Sequence, residues 1–520
     1  MQYIDIKKNS YFDSVTLMLL SRKLTDTSGV VNASVSMGTD HNKEILQNMG
    51  FTDKKVKDAG ANDLIIAVSV ENEKLIQTAL DIIKNHFTAK QEEGGEEFAP
   101  HSFEGALKLL PEASLALISI PGEYVYREAV KCLENNINVM IFSDNVSVEE
   151  EKKLKELAQC RGGVTPPLLV MGPDCGTAII NGKPLAFANV IRRGKIGIVG
   201  AAGTGIQEVS VCVHKLGEGV SQAIGTGGRD LTFDIGGITM LAGLELLLND
   251  ENTSAIILIS KPPAKEVAEK ILGRIKTAKK PVVVHFIGAP AEEITKSGAI
   301  YAKTLADSAV KACESISVGA PHVVPLQNKN NIANAEKSKY VSSQKHVRGF
   351  YTGGTLCKEA LIILGRGEGP FAPTIYSNIP LDKKYKLADS HKSIENTILD
   401  LGEDEFTKGR PHPMIDPASR NERMLADTDL ENIRVIMLDV MLGYGSHHDP
   451  AGKLVKAVKK LQENAEKKNL HITFLAEVCG TEEDPQVYST QKKTLEDAGV
   501  IVLPTNADMV ELAKELLNSR

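Results

Sequence analysis

Along most of the chain, short apolar runs ended by polar or glycine residues alternate with longer segments whose apolar positions recur at helical spacing. In residues 1–95 the segments 2–7, 30–37 and 63–70 read as strands, and 13–24, 42–49 and 73–87 as helices, giving a small α/β module. The charged, glycine-containing stretch 90–97 reads as a linker. In a second domain, 100–190, strands at 114–120, 138–142 and 167–171 alternate with helices at 124–135 and 148–159. That order requires parallel pairing with right-handed crossovers. The rhythm repeats in a third domain, 191–320, with strands at 195–199, 220–224, 254–259 and 281–287 and helices at 206–216, 238–248, 264–276 and 305–313. Its strands are nearly continuous apolar runs, as in a sheet covered on both faces.

Residues 319–345 read as an exposed connection, 351–378 as a helix-and-strand segment, and the following stretch to about 430 as polar and irregular. The fourth domain, 345–520, closes with strands at 434–438, 471–475 and 500–503 and helices at 451–469, 486–497 and 507–517. The fold class that follows is α/β, several doubly wound parallel-sheet domains in series.

Glycine loops punctuate the strand-to-helix turns. Gly200-Ala201-Ala202-Gly203-Thr204-Gly205 lies directly after a strand and before a helix, where glycines permit close backbone approach and a helix N-terminus favours an anion. It is neither a dinucleotide fingerprint nor a P-loop. A plain tight turn is the bland alternative. The loop Gly225-Thr226-Gly227-Gly228-Arg229-Asp230 follows the next strand, so both loops face one crevice at the carboxyl ends of a parallel sheet. Arg229 could fork onto a carboxylate or phosphate, or be a solvated surface arginine.

A third loop, Gly443-Tyr444-Gly445-Ser446-His447-His448-Asp449-Pro450, again joins strand to helix. The helix dipole should lower the pKa of both histidines, and Asp449 could simply cap the helix. Adjacent histidines are poorly spaced to chelate one metal, and no metal site is expected. Arg348 to Thr355, with Gly353, Gly354 and Thr355, precedes another helix. The proline-rich Arg410-Pro411-His412-Pro413-Met414-Ile415-Asp416-Pro417 is a rigid loop, a site wall carrying Arg410 and His412 or a structural turn.

Lys and Arg number 60 against 67 Asp and Glu, a net charge of −7, which disfavours nucleic acid as a partner. Aromatic content is 5% with no Trp, which disfavours a base-stacking surface. No window of eighteen uncharged apolar residues and no secretory leader is read, so no membrane association and a cytoplasmic location are expected. The seven cysteines form no CxxC and read as reduced, buried thiols.

The run from Ala113 to about Ser317 resembles the α subunit of succinyl-CoA synthetase. Gly172-Pro173-Asp174-Cys175-Gly176 is like that family's GPNCPG, and Gly225 to Asp230 like its GIGGDP; 195–199, 256–259 and 297–300 also match. The last domain is similar to the C-terminal domain of the β subunit. The whole chain looks like the FdrA family, on Ser10 to Ser14, Gly353 to Cys357 and Arg410 to Pro417. The resemblance implies that 100–190 is a Rossmann-like CoA-binding domain, and 191–320 and 345–520 flavodoxin-like ligase domains.

By that resemblance Lys296 stands where the synthetase carries its phosphorylated histidine, and Lys261 where a glutamate steadies it. An ammonium cannot accept the phosphoryl group. His285, inside an apolar strand, reads as a core residue. The two lysines and Arg229 are expected to make the crevice cationic. FdrA likeness implies a subunit of oxamate carbamoyltransferase, moving a carbamoyl group between oxalurate or oxamate and phosphate in anaerobic allantoin breakdown. It further implies other transferase subunits, and carbamate kinase of the same pathway, as partners, with oxamate and carbamoyl phosphate as ligands.

Under this reading Arg229, Lys261 and His448 are the candidate catalytic residues. Gly203, Thr204, Gly205, Gly227, Gly228, Gly443, Gly445 and Ser446 hold the anion, the Gly203 and Gly445 loops converging on it, and no cofactor is required. Two alternatives stand beside it: an ADP-forming acid–CoA ligase using CoA and ATP, and a non-catalytic scaffold that binds CoA or an anion.

Overall fold

The computed structural model describes residues 1–10, 12, 14–25, 27–93, 100, 102–160, 167–316, 329–365, 374–408, 410–427 and 429–518. The chain divides into two compact units, one of residues 1–113 with 407–411 and one of residues 114–406 with 412–520.

The first unit holds a three-stranded antiparallel sheet, with Leu64–Val70 between Gln2–Lys7 and Val30–Met37. Leu17, Leu20 and Leu24 of the helix Ser14–Thr25 and Ile83 of Lys74–Glu93 cover one face; Leu46, Phe51 and Val56 cover the other. The helix Lys74–Glu93 extends into the stretch read as a linker; residues 94–97 lie outside the described residues. The helix Phe103–Leu109 belongs to this unit, later than the expected boundary.

The second unit contains three sheets. Leu115–Ile118, Asn138–Ile141 and Val170–Met171 form a small parallel sheet. A seven-stranded sheet runs Ile300–Tyr301, Val282–Phe286, Ala255–Ser260, Arg193–Ala201, Val220–Gly225, Thr177–Ile180, Lys183–Ala186. Its first five strands are parallel, and the last two form an antiparallel hairpin at the edge. A six-stranded, wholly parallel sheet runs Ile375–Tyr376, Asn396–Asp400, His346–Tyr351, Ile433–Met441, Thr473–Cys479, Ile501–Leu503. The long strands are buried along nearly their whole length, so both large sheets are covered on both faces.

Three features differ from the pattern reading. The hairpin Thr177–Ala186, in the segment assigned to the second domain, extends the seven-stranded sheet; its turn is Asn181-Gly182, both at positive φ, the conformation such hairpins demand. The stretch read as polar and irregular contains Asn396–Asp400, five buried residues in the interior of a parallel sheet. The connection read as exposed contains the helix Lys329–Lys337, which buries Ala333, and a buried Gln344; residues 319–328 lie outside the described residues.

The two large sheets are joined through buried polar contacts. Asn189 donates to the carbonyl of Leu442 (3.0 Å) and to the Asp484 carboxylate (2.8 Å), and accepts from Gln207 (3.2 Å). Asp484 also takes the N–H groups of Val190 and Thr481 (2.7 and 2.8 Å). Asn189→Ala should therefore destabilise the protein by about 2–4 kcal/mol, the cost of leaving several buried groups with fewer partners. A urea midpoint unchanged from wild type would refute that role for the joint.

Candidate functional site

Each large sheet grows outward in both directions from one strand. Arg193–Ala201 is flanked by Val220–Gly225 and Ala255–Ser260, the next two parallel strands in the sequence. His346–Tyr351 is flanked by Asn396–Asp400 and Ile433–Met441. Ligands bind open α/β sheets in the crevice beyond the carboxyl ends of strands at such a switch point.

Both switch strands run through glycines into a helix, Gly203–Lys215 in one sheet and Gly354–Gly365 in the other. The two helix starts meet. A Cβ on Gly353 would lie 3.0 Å from Thr204, and the Thr355 N–H donates to the Thr204 hydroxyl (3.4 Å). Ala202, at the N-cap of the first helix, offers no side-chain acceptor to the first-turn N–H groups. Beneath the second helix, buried Asp439 accepts from the N–H groups of Thr352 (2.8 Å) and Gly353 (2.7 Å) and fixes the glycine turn.

Gly445 joins the same crevice. A Cβ there would lie 2.8 Å from the Phe187 ring; the Phe187 carbonyl accepts from Thr177 (2.8 Å), against which Gly203 packs. Gly443, at φ +101°, brings the loop so close to Ala188 that a Cβ would sit 2.5 Å from its carbonyl oxygen. Gln486 locks this loop by bonding both the N–H and C=O of Gly443 (3.0 and 2.9 Å). Gly227 and Gly228 pack against the Pro173–Asp174 turn. The glycine loops of both sheets, including those at Gly203 and Gly445, are thus brought together.

The charge of the crevice differs from the expectation. Arg229 is already engaged, donating to Glu151 (3.0 Å) and to the Val146 carbonyl (2.8 Å). Glu151 also pairs with Lys155, which reaches Asp230 (2.8 Å), so the half-exposed Arg229 is anchored on a buried ion-pair network, while its charge still acts on Asp174. Lys296 is exposed and paired with Glu292 (2.7 Å). Asp449 caps the helix Pro450–Glu466 by accepting from Gly452 (3.0 Å), so that helix end is already satisfied; Ser446 Oγ, by contrast, is buried and unbonded. His448 is exposed and stacked on His447, ring centroids 4.2 Å apart. The pKa of His447 is lowered first by burial and then by the charge of His448.

Lys261 does enter the crevice. Ser260 pairs with Ala201, so Lys261 leaves the sheet beside the turn that starts the Gly203 helix. Its charge acts on two carboxyl groups that pattern reading gave no role, Asp174 and Asp400. Asp400 is buried at the end of its strand; its Oδ1 accepts from Gly402 (2.9 Å), and its Oδ2 lies where a Cβ on Gly354 would be, 2.3 Å away. Burial, reinforced by Glu403, pushes its carboxyl up to about 7, against the pull of Lys261. Asp174 is exposed by its surface yet crowded by neighbouring protein atoms, which push it up to about 6, opposed by the charges of Lys261 and Arg229. Acidic groups therefore line the space expected to be cationic.

His412 borders Asp400: a Cβ on Gly402 would lie 2.5 Å from its Nε2 and 3.2 Å from Asp400 Oδ1. Its Nδ1 accepts from Met414 (3.2 Å), its ring lies 5.9 Å from Phe187, and burial pushes its pKa down to about 4. Arg410 falls in the other compact unit, where its N–H donates to Thr407 (3.0 Å). His285 is buried in its strand with Nδ1 on the Ala302 carbonyl (3.0 Å).

Comparison with known proteins bears on this architecture. Three family models match: a CoA binding domain over residues 191–288, a CoA-ligase over 350–516, and the heavy metal-associated domain of AllF over 1–101. The uncharacterized protein YahF of Escherichia coli (strain K12) is 42% identical over 519 residues, 99% of this chain and 98% of that protein. The chain belongs to the YahF family. The α subunit of an ADP-forming succinate–CoA ligase from Aquifex aeolicus is 27% identical over 36% of the chain and 62% of that subunit. A dinucleotide-forming acetyl-coenzyme A synthetase of Ca. Korarchaeum cryptofilum, solved with phosphate and ADP, aligns over 78% of the chain and 82% of its own at 16% identity, TM-score 0.28.

The CoA-binding and ligase regions make this an acyl-CoA ligase-like protein of α/β fold. The first 101 residues contain no cysteine, so the thiolates that a soft heavy-metal ion prefers are missing from the domain that carries the metal-associated likeness. The residues present there do not fit such an ion. Among the described residues no helix is long and apolar enough to cross a membrane.

The raised pKa of Asp400 has a signed consequence. The folded state holds a proton between an ordinary carboxyl pKa near 4 and about 7 that the unfolded chain has released, so this group's stabilising contribution falls as pH rises through that window. Asp400→Asn should flatten the decline, gaining stability relative to wild type at pH 8 more than at pH 5. Urea unfolding at the two values checks it, and an equal effect at both would refute the assignment.

Proposed function

We propose that the chain moves an acyl-type group between a small anionic acid and phosphate in the crevice between the Gly203 and Gly354 helix starts. The specific case favoured is transfer of the carbamoyl group between oxalurate or oxamate and phosphate, as FdrA likeness implies. The observation that carries this reading is Lys261 beside an uncapped helix start and within electrostatic reach of two carboxyl groups of raised pKa. The helix N–H groups and Lys261 hold the negative charge that develops on the attacked carbonyl. A phosphate oxygen bonds to the carbamoyl carbon and the bond to the oxamate nitrogen breaks. That nitrogen takes its proton from Asp400 or Asp174, acids whose pKa values suit the task near neutrality. Carbamoyl phosphate and oxamate are the products, with further subunits and carbamate kinase as partners in this reading.

A second reading, an acid–CoA ligase, is favoured by the matches to the CoA binding domain and the CoA-ligase. It needs a phosphorylatable histidine in place of the one that Lys296 replaces, and His412, His447 and His448 are the histidines near the crevice. CoA and ATP would then be substrates.

Phosphorolysis of oxalurate should produce carbamoyl phosphate, assayed with the chain alone and with its co-expressed neighbours. Lys261→Ala should lower kcat/KM by about 10²–10³, the usual loss when one preorganised charge partner is removed. Acid-labile, base-stable label on a histidine after incubation with labelled ATP, with CoA thioester formed and no phosphorolysis, would replace the first reading by the second.

A further inference from the structure

Behind the crevice the underside of the Gly203 helix meets the strand Thr473–Cys479 of the other large sheet. Glu208, Glu477 and Cys479 each present one ligand atom there, all within 4.8 Å of one another. Cys212, one turn further along the helix, lies with its Sγ 3.9 Å from Glu208 Oε1. The four residues retain at most 8% exposure, and Glu477 and Cys479 none.

Other buried carboxylates of this unit are matched by donors. Asp439 takes N–H groups from Thr352 and Gly353, Asp230 from Thr239 and Met240, and Asp484 from Val190 and Thr481. Glu477 differs: no N–H or hydroxyl group reaches its two buried carboxylate oxygens, and its close polar neighbour is the Glu208 carboxyl. Lys215, the next cation along the helix, sets its ammonium over the Tyr488 ring, 4.4 Å from the centroid, and acts on both carboxyls through its charge without an ion pair to either. Two buried carboxyl groups side by side cannot both carry charge unless they hold a cation; without one they share a proton.

We propose that Glu208, Glu477 and Cys479, with Cys212 as fourth ligand, form a closed site for a divalent zinc-class ion that staples the Gly203 helix to the second large sheet. The donors, two carboxylate oxygens and two sulfurs, suit zinc, which takes four such ligands in structural sites. Bond lengths of about 2.0–2.3 Å place tetrahedral ligand atoms roughly 3.4–3.8 Å apart, so a contraction of about 1 Å closes the set of three, and Cys212, which lies outside that 4.8 Å group, must move further to complete it. Zinc binding requires the cysteines as thiolates and releases their protons, so the bound ion leaves no carboxylate in the cluster without a partner. The spacing of the sequence hides the set, because its ligands come from two different domains.

The test uses the full chain, purified without chelator, with zinc measured by mass spectrometry and cobalt(II) exchanged into the site. The expected result is about one zinc per chain and a thiolate-to-cobalt charge-transfer band in the near ultraviolet. Cys479→Ser should abolish most of that band, and Glu477→Gln should weaken zinc binding by roughly tenfold or more, while Cys160→Ser, at an exposed cysteine, leaves both unchanged. Zinc-edge X-ray absorption on the wild type, expecting mixed sulfur and oxygen neighbours, decides the matter even if the core variants do not fold. Failure to take up stoichiometric zinc, a shell without sulfur, or a band lost in Cys160→Ser would each overturn the site. None of these outcomes depends on the carbamoyl or ligase reading.

Discussion

The constraint on which the crevice depends is the meeting of two helix N-termini from different sheets. Each end carries roughly half a positive charge on its free N–H groups, so bringing the Gly203 and Gly354 starts into contact is unfavourable unless negative charge accompanies them. The protein supplies part of that charge itself. Asp439 lies under the Thr352-Gly353 turn, and the Thr204 hydroxyl accepts from the Thr355 N–H. Glycine at 353 and 354 is required because a side chain at either would collide with Thr204 or Asp400. What remains uncompensated is the first turn of the Gly203 helix, whose N-cap alanine contributes no acceptor, and Lys261 beside it.

The crevice is therefore a mixed one. A purely cationic pocket would bind an anion without providing a proton, whereas a lysine facing carboxyl groups whose protons are held near neutrality can do both. The same burial that makes Asp400 costly to ionise makes it a usable acid. Arg229 shows the opposite outcome. Its guanidinium is held by Glu151 and Val146, in a network that ties the segment 146–155 to the Gly227 loop, so part of its charge serves architecture while part acts on Asp174.

The periodic elements were readable because the long strands are apolar on both faces and the helices carry clear stripes; Gln2–Lys7 and Val30–Met37 fall where their patterns place them. The glycine loops were readable as strand-to-helix turns for the same reason. The strand ending in Asp400 was not, because Asn396, Thr397 and Asp400 look like loop residues until the neighbouring strands and Asn378, which bonds both backbone groups of Asp400, supply their partners. The Asn181-Gly182 turn was a readable hairpin signal passed over in a segment taken as the end of a domain. Whether a charged side chain is paired, as with Arg229, or open, as with Lys261, depends on contacts between segments far apart in sequence, and no local pattern encodes that.

The two replacements implied by the resemblance to succinyl-CoA synthetase are not equivalent. Lys296 ends on the surface in an ion pair with Glu292, so that change removes a nucleophile without adding a cation to the crevice. Lys261 lies where the chain leaves the sheet beside the Gly203 helix and acts electrostatically on Asp174, Asp400 and Cys357, so that change reverses the local charge at the point where the two helix starts converge. In the proposed function this lysine would hold the anion itself. In the proposed transfer the switch strands and helix starts still have to meet to hold the anion, whereas a phosphohistidine relay has no step to serve, since phosphate would attack the acyl carbon directly.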